Sequence, residues 1–566
     1  MRSLNFAFIA LLATAVGCAD EDLTPDDEWG MEGPVETTPL PGKDDSEYRK
    51  GPYVNTNTTR TQVWTARNKW EDRDTAAAKA AGIAWDANSG LNWDEKYAAW
   101  IESMEWIRSL NGYSTTVNIK TPWGKTLPSP SLECAEMALF LRITFAAWYE
   151  LPLFFEAVSS GQRVYFGHFG VRTTAGRFSG TPEFGVAYKD YSTSTTWSTT
   201  WPKDATLRTR KLHGGEASQP MIAPGAEFGA YVDEIHLNKR AAYFTVLALN
   251  YLSSFNVADT ANTYNIIPEA VRAGDVLVER WQSSGIGHTL IVHDVRELGG
   301  GSMDITTISG SMPRRQGVRE SGESSKYYFT SNYAGGVGMP DGTTTPYAKM
   351  GGGIKRWRVT KNVGGYWTNT WMDADEAHWI NSTDYARIAA RPARYKVLLG
   401  AVTPQQQRDG LLAAISDARH HLEMYPASCA ARQRRERAFG ELYGLAGRLG
   451  MTTAQIDAEY RELEDYVLGE LDYTKSKTCC WNSSTNAMYE IIMQHARAEQ
   501  EAADAAGTCI EPTVFKSRSD GYKLWSDYAA SIGRGSQWRA WSEDESCSQR
   551  NVAQDTETEI EGAYCE

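Results

Sequence analysis

The sequence predicts an α+β protein, in which a buried helix packs on an antiparallel sheet and an all-helical region follows. Apolar residues recur every three or four positions over 134–148, the spacing of a core-facing helix. Runs rich in β-branched residues at 276–278, 289–295 and 303–312 are separated by glycine-containing turns, which predicts an antiparallel meander. From about residue 401 the pattern changes to charged, Ala- and Leu-rich helices.

The first 18 residues form a targeting segment rather than part of the fold. Arg2 supplies a positive charge, and the apolar run at 4–16 is too short to span a bilayer. The run ends in AVGC, which resembles the lipobox of bacterial lipoproteins and implies lipidation at Cys18. We therefore expect an exported protein that is lipid-anchored to the bacterial cell envelope and touches the membrane through the anchor only. The alternative is an ordinary secretory signal with a chance cysteine.

Composition limits the domain number and the class of partner. Residues 19–62 are acidic and rich in Pro and Thr, which predicts a disordered tether. The remaining chain is long enough for an α+β domain at 63–400 and a helical domain at 401–566. The net charge of −14 and the pI near 5.3 argue against nucleic acid as a partner.

Cysteine usage singles out one residue. Six of the eight cysteines lie late in the chain, and in an exported protein six cysteines predict three disulfides. These candidates are Cys429, Cys479, Cys480, Cys509, Cys547 and Cys565. With Cys18 assigned to lipid, Cys134 is left over, and an odd thiol in an oxidising compartment points to a catalytic use.

Four further stretches carry local structure signals. Residues 88–110 predict an amphipathic helix opened by capping residues, and 115–128 predict strands with a glycine turn. Residues 164–173 alternate in the manner of an aromatic strand, and 227–255 predict one or two helices.

Cys134 is the predicted nucleophile. It falls within the first turn of the predicted helix, where free N–H groups and the positive end of the helix dipole favour the thiolate. The alternative is a small buried core residue, because cysteine is among the most buried residue types.

His288 is the predicted general base. A thiol hydrolase needs a base within hydrogen-bond reach of the thiol and a third polar group that orients the base. His288 begins a strand directly after a glycine, at a sheet end that a helix N-terminus can approach. His293 lies five residues further on, faces the other side of the strand, and is more typical of a hydrogen-bonded core histidine.

The third group is predicted from the register of the meander. If its turn is centred near Gly300, His288 faces Met312, give or take one residue. An offset of one places Ser311 opposite His288, and Ser309 is then reachable on the diagonal. Gln316 is a further alternative.

Two resemblances to known families follow from these residues. The stretch AGDVLVERWQSSGIGHTLIVHDV resembles the GD-hydrophobic and GH-hydrophobic segments of NlpC-type and CHAP-type cell-wall peptidases, which are papain-like. That resemblance implies a helix-start cysteine and a strand histidine, here Cys134 and His288, and amide hydrolysis in peptidoglycan peptides through a thioester. It implies no metal and no other cofactor. The separation of Cys134 and His288 is longer than is usual in these families, so the resemblance also implies an insertion at about 189–255. The helix pattern CxxxALFLR followed by ELP resembles instead a transglutaminase-type core.

The predicted function is therefore that of an exported, lipid-anchored cysteine hydrolase that cleaves amide bonds, with peptidoglycan peptides as the expected substrate. Transglutaminase or protease chemistry is the second enzymatic alternative. The rival is a non-catalytic envelope-binding lipoprotein on a degenerate papain-like scaffold, which would use Trp-rich stretches such as 366–379. The partner of the helical domain stays open.

Overall fold

The computed structural model describes residues 50–538, except for 55–59, 111–112, 160, 174–175, 214–221, 224, 281–286, 312–313, 321, 340–343, 401–402, 425–428, 468–485 and 509–525. The predicted targeting segment, Cys18 and most of the predicted tether lie outside these residues.

The described strands, in chain order, are β1 (Lys50–Val54), β2 (Trp106–Leu110), β3 (Tyr113–Lys120), β4 (Thr126–Pro128), β5 (Ser131–Leu132), β6 (Phe154–Ser159), β7 (Gln162–Gly167), β8 (Gly170–Thr173), β9 (Gly176–Arg177), β10 (Thr263–Ile266), β11 (Val276–Arg280), β12 (Gly287–Gly299), β13 (Ser302–Ser309), β14 (Arg315–Gln316), β15 (Val318–Glu320), β16 (Gly353–Trp357), β17 (Val359–Val363), β18 (Tyr366–Thr370) and β19 (Trp379–Ile380).

The described helices are α1 (Ala76–Lys79), α2 (Trp93–Glu102), α3 (Cys134–Trp148), α4 (Phe184–Ala187), α5 (Ala205–Arg208), α6 (Phe228–Ile235), α7 (Lys239–Tyr251), α8 (Ser254–Ala258), α9 (Gly322–Thr330), α10 (Tyr385–Leu398), α11 (Pro404–Met424), α12 (Cys429–Leu449), α13 (Thr453–Tyr460), α14 (Leu463–Val467) and α15 (Asn486–Ala506).

A ten-stranded antiparallel sheet organises the molecule and confirms the mixed α+β prediction. Its strands run in the order β19-β10-β16-β11-β12-β13-β15-β3-β2, with β4 paired to β3. The β11–β12–β13 meander at its centre was predicted from the sequence, and its three strands pair antiparallel. Smaller sheets join β1, β18 and β17, the strands β6 to β9, and β5 with β14.

The central sheet is covered on both faces. On one face, Val278, Ile291 and Ile308 pack in the main core, which also holds Met137 and Leu141 of α3. On the other face, a second set of apolar residues packs with side chains of α9 and α10. This set is Leu277, Leu290, Val292, Ile305, Phe329, Tyr395 and Leu398. We call these two sides the α3 face and the α9 face.

Three local predictions change in detail. The helix expected over 88–110 ends at Glu102, and Trp106–Leu110 forms strand β2. The aromatic stretch at 164–173 makes two strands, because the chain reverses between Gly167 and Gly170. Residues 227–255 form α6 and α7, and α8 begins before that stretch ends. Helices α6 and α7 contribute to the main core, and α7 packs against α3.

The region after residue 401 is helical, as predicted, and it contacts the α+β part through α9. Helices α11 and α12 share a core that includes Leu411, Ile415 and Phe439, and Tyr327 of α9 packs against it. The predicted disulfides are not supported, since no cysteine pair lies at bonding distance among the side chains that the structure describes. Cys429 begins α12, and the other five candidate cysteines lie outside the described residues.

Among the described residues, none of the helices combines the length and the apolar character that crossing a membrane requires.

Candidate functional site at the N-terminus of α3

Cys134 is the first residue of α3, as the sequence predicts. Its side chain is half-buried and forms no disulfide. Glu133 caps the helix, and its N–H donates to the Glu136 carboxylate over 2.8 Å, which closes a capping box. The thiol therefore lies at the positive end of a 15-residue helix, an environment that favours the thiolate.

Backbone pairing with two neighbouring segments holds the start of α3 against the sheet. Strand β5, directly before α3, pairs with β14 through Leu132 and Arg315. The N–H of Ser311 donates to the Leu132 carbonyl over 3.2 Å, so the end of β13 lies beside the same turn. Gly310 permits this approach, because a Cβ atom there would lie 2.7 Å from the Glu133 carbonyl oxygen and closer still to that of Leu132.

A carboxyl group with a shifted pKa lies next to the thiol. Burial, and to a lesser extent the neighbouring Glu136 carboxylate, raise the pKa of Glu133 to about 8, while Arg314 acts in the opposite direction. Arg314 forms a bidentate ion pair with Glu136, with Nε and Nη2 at 3.0 and 2.8 Å from its carboxylate oxygens. At neutral pH Glu133 is therefore mostly protonated, and it places little negative charge beside Cys134.

His213 is a histidine near this site that the sequence reasoning missed. Its carbonyl accepts a hydrogen bond from Arg314 Nη2 at 2.9 Å, and its N–H donates to Asn250 Oδ1 over 2.8 Å. The same Arg314 side chain binds Glu136, two residues after Cys134, and the His213 side chain is exposed. No periodicity or motif marks residues 205–213, so only the long-range contact to Arg314 reveals the proximity.

The predicted base, His288, lies on the other side of the sheet. His288 pairs with Glu279, and Leu290 pairs with Leu277, so these residues share the α9 face. The His288 ring centroid is 5.7 Å from that of Tyr328 on α9. Thr289, the next residue along, points to the α3 face instead. The structure therefore does not bring Cys134 and His288 to one face of the sheet.

The register of β12 and β13 changes by one residue along the pair of strands. The pair Val295–Ile305 follows the register of a turn centred at Gly300, but a bulge between Val292 and Asp294 shifts it by one. Beyond the bulge, Val292 pairs with Thr307 and Ile291 pairs with Ile308. Continued by three residues, this register places Ser311 opposite His288.

The serines predicted as the third group have other bonds. Ser309 is buried; its hydroxyl donates to the Glu320 carboxylate and accepts from Arg315 Nη2 at 2.8 Å. Ser311 is also buried, with its N–H bonded to Leu132. The alternative, Gln316, donates to the Ser129 carbonyl over 2.9 Å. These bonds join Ser309 to β14 and β15, and they join Ser311 and Gln316 to the chain directly before α3.

His293 is a core residue, as predicted. Its Nδ1 lies 3.2 Å from Thr306 Oγ1 and its Nε2 lies 3.2 Å from the Met104 carbonyl oxygen. Burial lowers the pKa of His293, and it lowers that of His168 to about 4 and that of His236 to about 3. These three imidazoles are neutral at pH 7.

The opposite end of α3 borders a cavity of about 270 Å³. Its walls include Trp123, Trp148, Ser192 and Thr193. The Trp123 ring is 5.7 Å from that of Trp201, edge to face. Among the described residues no group of His, Cys, Asp and Glu side chains is arranged to hold a metal ion.

The Trp-rich stretch at 366–379 is largely internal. Trp371 is buried in the core of the α9 face and stacks on Trp379 with ring centroids 4.6 Å apart. Trp367 contacts the buried His168 ring at 4.6 Å. These side chains pack the fold, which removes most of the aromatic surface that the binding alternative would use there.

Neither protein-family models, nor curated proteins, nor solved structures give a match to this chain. The papain-like and transglutaminase-like resemblances therefore rest on the sequence motifs alone.

Proposed function

We propose that this chain is an exported cysteine hydrolase that cleaves amide bonds, with Cys134 as the nucleophile. The observation that carries the proposal is the position of Cys134, a half-buried thiol at the first residue of a capped, core-packed helix. The helix dipole favours its thiolate, and the protonated Glu133 beside it does not oppose that charge. The N–H groups of the first helical turn are suited to stabilise the oxyanion of a tetrahedral intermediate.

The proton acceptor in this proposal is a histidine, and His213 fits the role better than His288. The main chain of His213 is tied through Arg314 to the first turn of α3, whereas the ring of His288 packs on the α9 face. The imidazole would accept the thiol proton and later protonate the leaving amine.

Peptidoglycan stem peptides are the proposed substrate. The targeting segment predicts an envelope location, where amide bonds of peptidoglycan are abundant. Transfer to an amine instead of water, as in transglutaminases, would use the same thioester and the same residues.

The test is the release of new amine groups from purified peptidoglycan by the full chain, measured by mass spectrometry. Cys134→Ala should abolish release, and His213→Ala should lower its rate roughly 100-fold or more. His288→Ala is the matched control and should retain most of the rate. Release that persists in Cys134→Ala contradicts the proposal. A large loss in His288→Ala together with none in His213→Ala would restore His288 as the base.

A second candidate function is glycan binding at the cavity beyond the C-terminal end of α3. The observation in its favour is the pairing of Trp123 and Trp148 with the hydroxyl side chains of Ser192 and Thr193 around that cavity. Trp123→Ala should then weaken sedimentation of the protein with insoluble peptidoglycan, and Trp197→Ala, outside the cavity, should not. Equal sedimentation of both variants and the unmodified chain would exclude this site.

A further inference from the structure

Arg280, the last residue of β11, is a buried cation that forms no ion pair with any residue that the structure describes. Its side chain is 1% exposed, and within the described part of the chain Nε and Nη1 meet no hydrogen-bond acceptor. The guanidinium lies over the Phe255 ring, with Cζ 4.3 Å from the ring centroid. Burial lowers the pKa of Arg280 to about 10, so the guanidinium is still charged at neutral pH. The next six residues, WQSSGI, contain no carboxylate.

A charged group is costly to bury unless it is paired. An arginine at a strand end with two unsatisfied donors is therefore arranged to receive an anion. The backbone beside it leaves room for nothing larger than hydrogen, since a Cβ atom at Gly287 would meet the Glu279 carbonyl and lie 3.0 Å from Arg280 Cδ.

The register places Arg280 at the same sheet end and on the same face as Cys134. Arg280 pairs with Gly287, and two residues earlier Val278 pairs with Thr289 on the α3 face. Thr289 is fully buried, and its Oγ1 is also without a hydrogen-bond partner. Extending the β12–β13 register places Thr289 beside Gly310, which contacts the Leu132–Glu133 backbone directly before Cys134.

We propose that Arg280 binds a carboxylate of the molecule that reacts at Cys134, and so selects acyl donors that carry a negative charge. A guanidinium donates strong, charge-assisted hydrogen bonds to a carboxylate, and Thr289 supplies a neighbouring hydroxyl. The substrate class is a carboxylate-bearing peptide. This inference rests on the proposed function for the role of Cys134, and Arg280 acts as a positioning residue that takes no part in bond making.

The test compares two alkylating reagents of similar size, iodoacetate and iodoacetamide, on Cys134 in the full chain. Only iodoacetate carries a carboxylate. The ratio of its rate to that of iodoacetamide should exceed the ratio measured for free cysteine, and Arg280→Met should lower it about tenfold, equivalent to about 1.4 kcal/mol. The iodoacetamide rate should change little. Arg296→Met, an exposed arginine at the far end of β12, is the control and should leave both rates unchanged.

Arg280→Lys covers the case in which Arg280→Met fails to fold. It keeps the positive charge and loses the Nε and Nη1 donors, so an intermediate ratio is expected. An unchanged ratio in a folded Arg280 variant overturns the proposal. If neither reagent labels Cys134, the proposed hydrolase function is contradicted. Anion binding at Arg280 is then tested separately, by the change in melting temperature on adding a ligand. N-acetylalanine should then raise the melting temperature of the unmodified chain but not of the Arg280 variant, and N-acetylalanine amide should raise neither. A shift that is absent, or independent of Arg280, overturns the site.

Discussion

At the residue scale, Glu133 couples the electrostatics of the site to pH. Its pKa of about 8 lies well above the ordinary value, so the folded chain holds a proton that the unfolded chain releases. Its contribution to stability is therefore complete below the unfolded pKa and is lost as pH rises towards 8. Glu133→Gln should flatten the fall in the free energy of unfolding between about pH 4.5 and 8, as urea titrations at several pH values would show.

A second variant changes the pKa of Glu133 through one of the charged groups near it. Glu136 raises its pKa and Arg314 lowers it, so Arg314→Met should raise the pKa of Glu133 further. If Glu133→Gln retains the full pH slope of the unmodified chain, the slope arises elsewhere and this assignment is wrong.

The sequence predicts that Cys134 begins a helix, but it does not predict which side chains lie near the thiol. The capping and periodicity that place Cys134 at a helix start are local signals, and local signals are readable without a structure. The face on which His288 lies depends on which side of the sheet α3 packs, and a strand alternation fits either side equally well. His213 is brought near by Arg314, a contact between residues 101 positions apart, so no local pattern could reveal it.

At the element scale, the site depends on how closely the end of β13 approaches the start of α3. Gly310→Ala would insert a Cβ atom against the Leu132 and Glu133 carbonyls and must push the two elements apart. We expect a loss of about 1–3 kcal/mol in the free energy of unfolding, together with slower alkylation of Cys134. Circular dichroism during urea unfolding measures the first effect.

Gly440→Ala is the matched control, because that glycine lies within α12 with no atom within 4 Å of an added Cβ. Alanine favours the helix, so this variant should be as stable as the unmodified chain or slightly more stable. Equal stability of both alanine variants would show that the close approach at Gly310 does not exist in solution.

Element types were more predictable than element ends. The meander and α3 follow directly from apolar periodicity. The sequence pattern predicts a helix over strand β2, because Trp106 and Ile107 continue the apolar spacing of α2. Only the pairing with β3 makes that stretch extended. The bulge near His293 likewise has no sequence signature, yet it decides the partner of His288.

At the scale of the whole molecule, the helical region is joined to the α+β part through α9. The Tyr327 hydroxyl on α9 donates to the Glu441 carboxylate on α12, and the Tyr327 ring packs against the helical core. Tyr327→Phe should lower the free energy of unfolding by about 1–2 kcal/mol, because it leaves a partly buried carboxylate without this donor. Urea titration measures the loss.

Tyr385→Phe is the control for the contact between α9 and α12, since Tyr385 lies on α10 and is 40% exposed. It should change stability by less than about 0.5 kcal/mol. If Tyr327→Phe is equally harmless, the bond to Glu441 contributes nothing to holding the two regions together.

The change to helices after residue 401 is predictable from composition. The packing of these helices on α9 depends on single polar contacts, which composition does not reveal.

The most direct test of the account is the pH dependence of the iodoacetamide reaction at Cys134 in the full chain, followed by mass spectrometry of the labelled peptide. We predict an apparent thiol pKa below the ordinary value of about 8.5, with alkylation at pH 7 faster than that of free cysteine. Glu133→Gln should quicken the reaction above pH 8, where the carboxylate would otherwise be ionised. An apparent pKa at or above 8.5, with alkylation slower than that of free cysteine at every pH, would show that Cys134 is a structural residue and contradict the hydrolase.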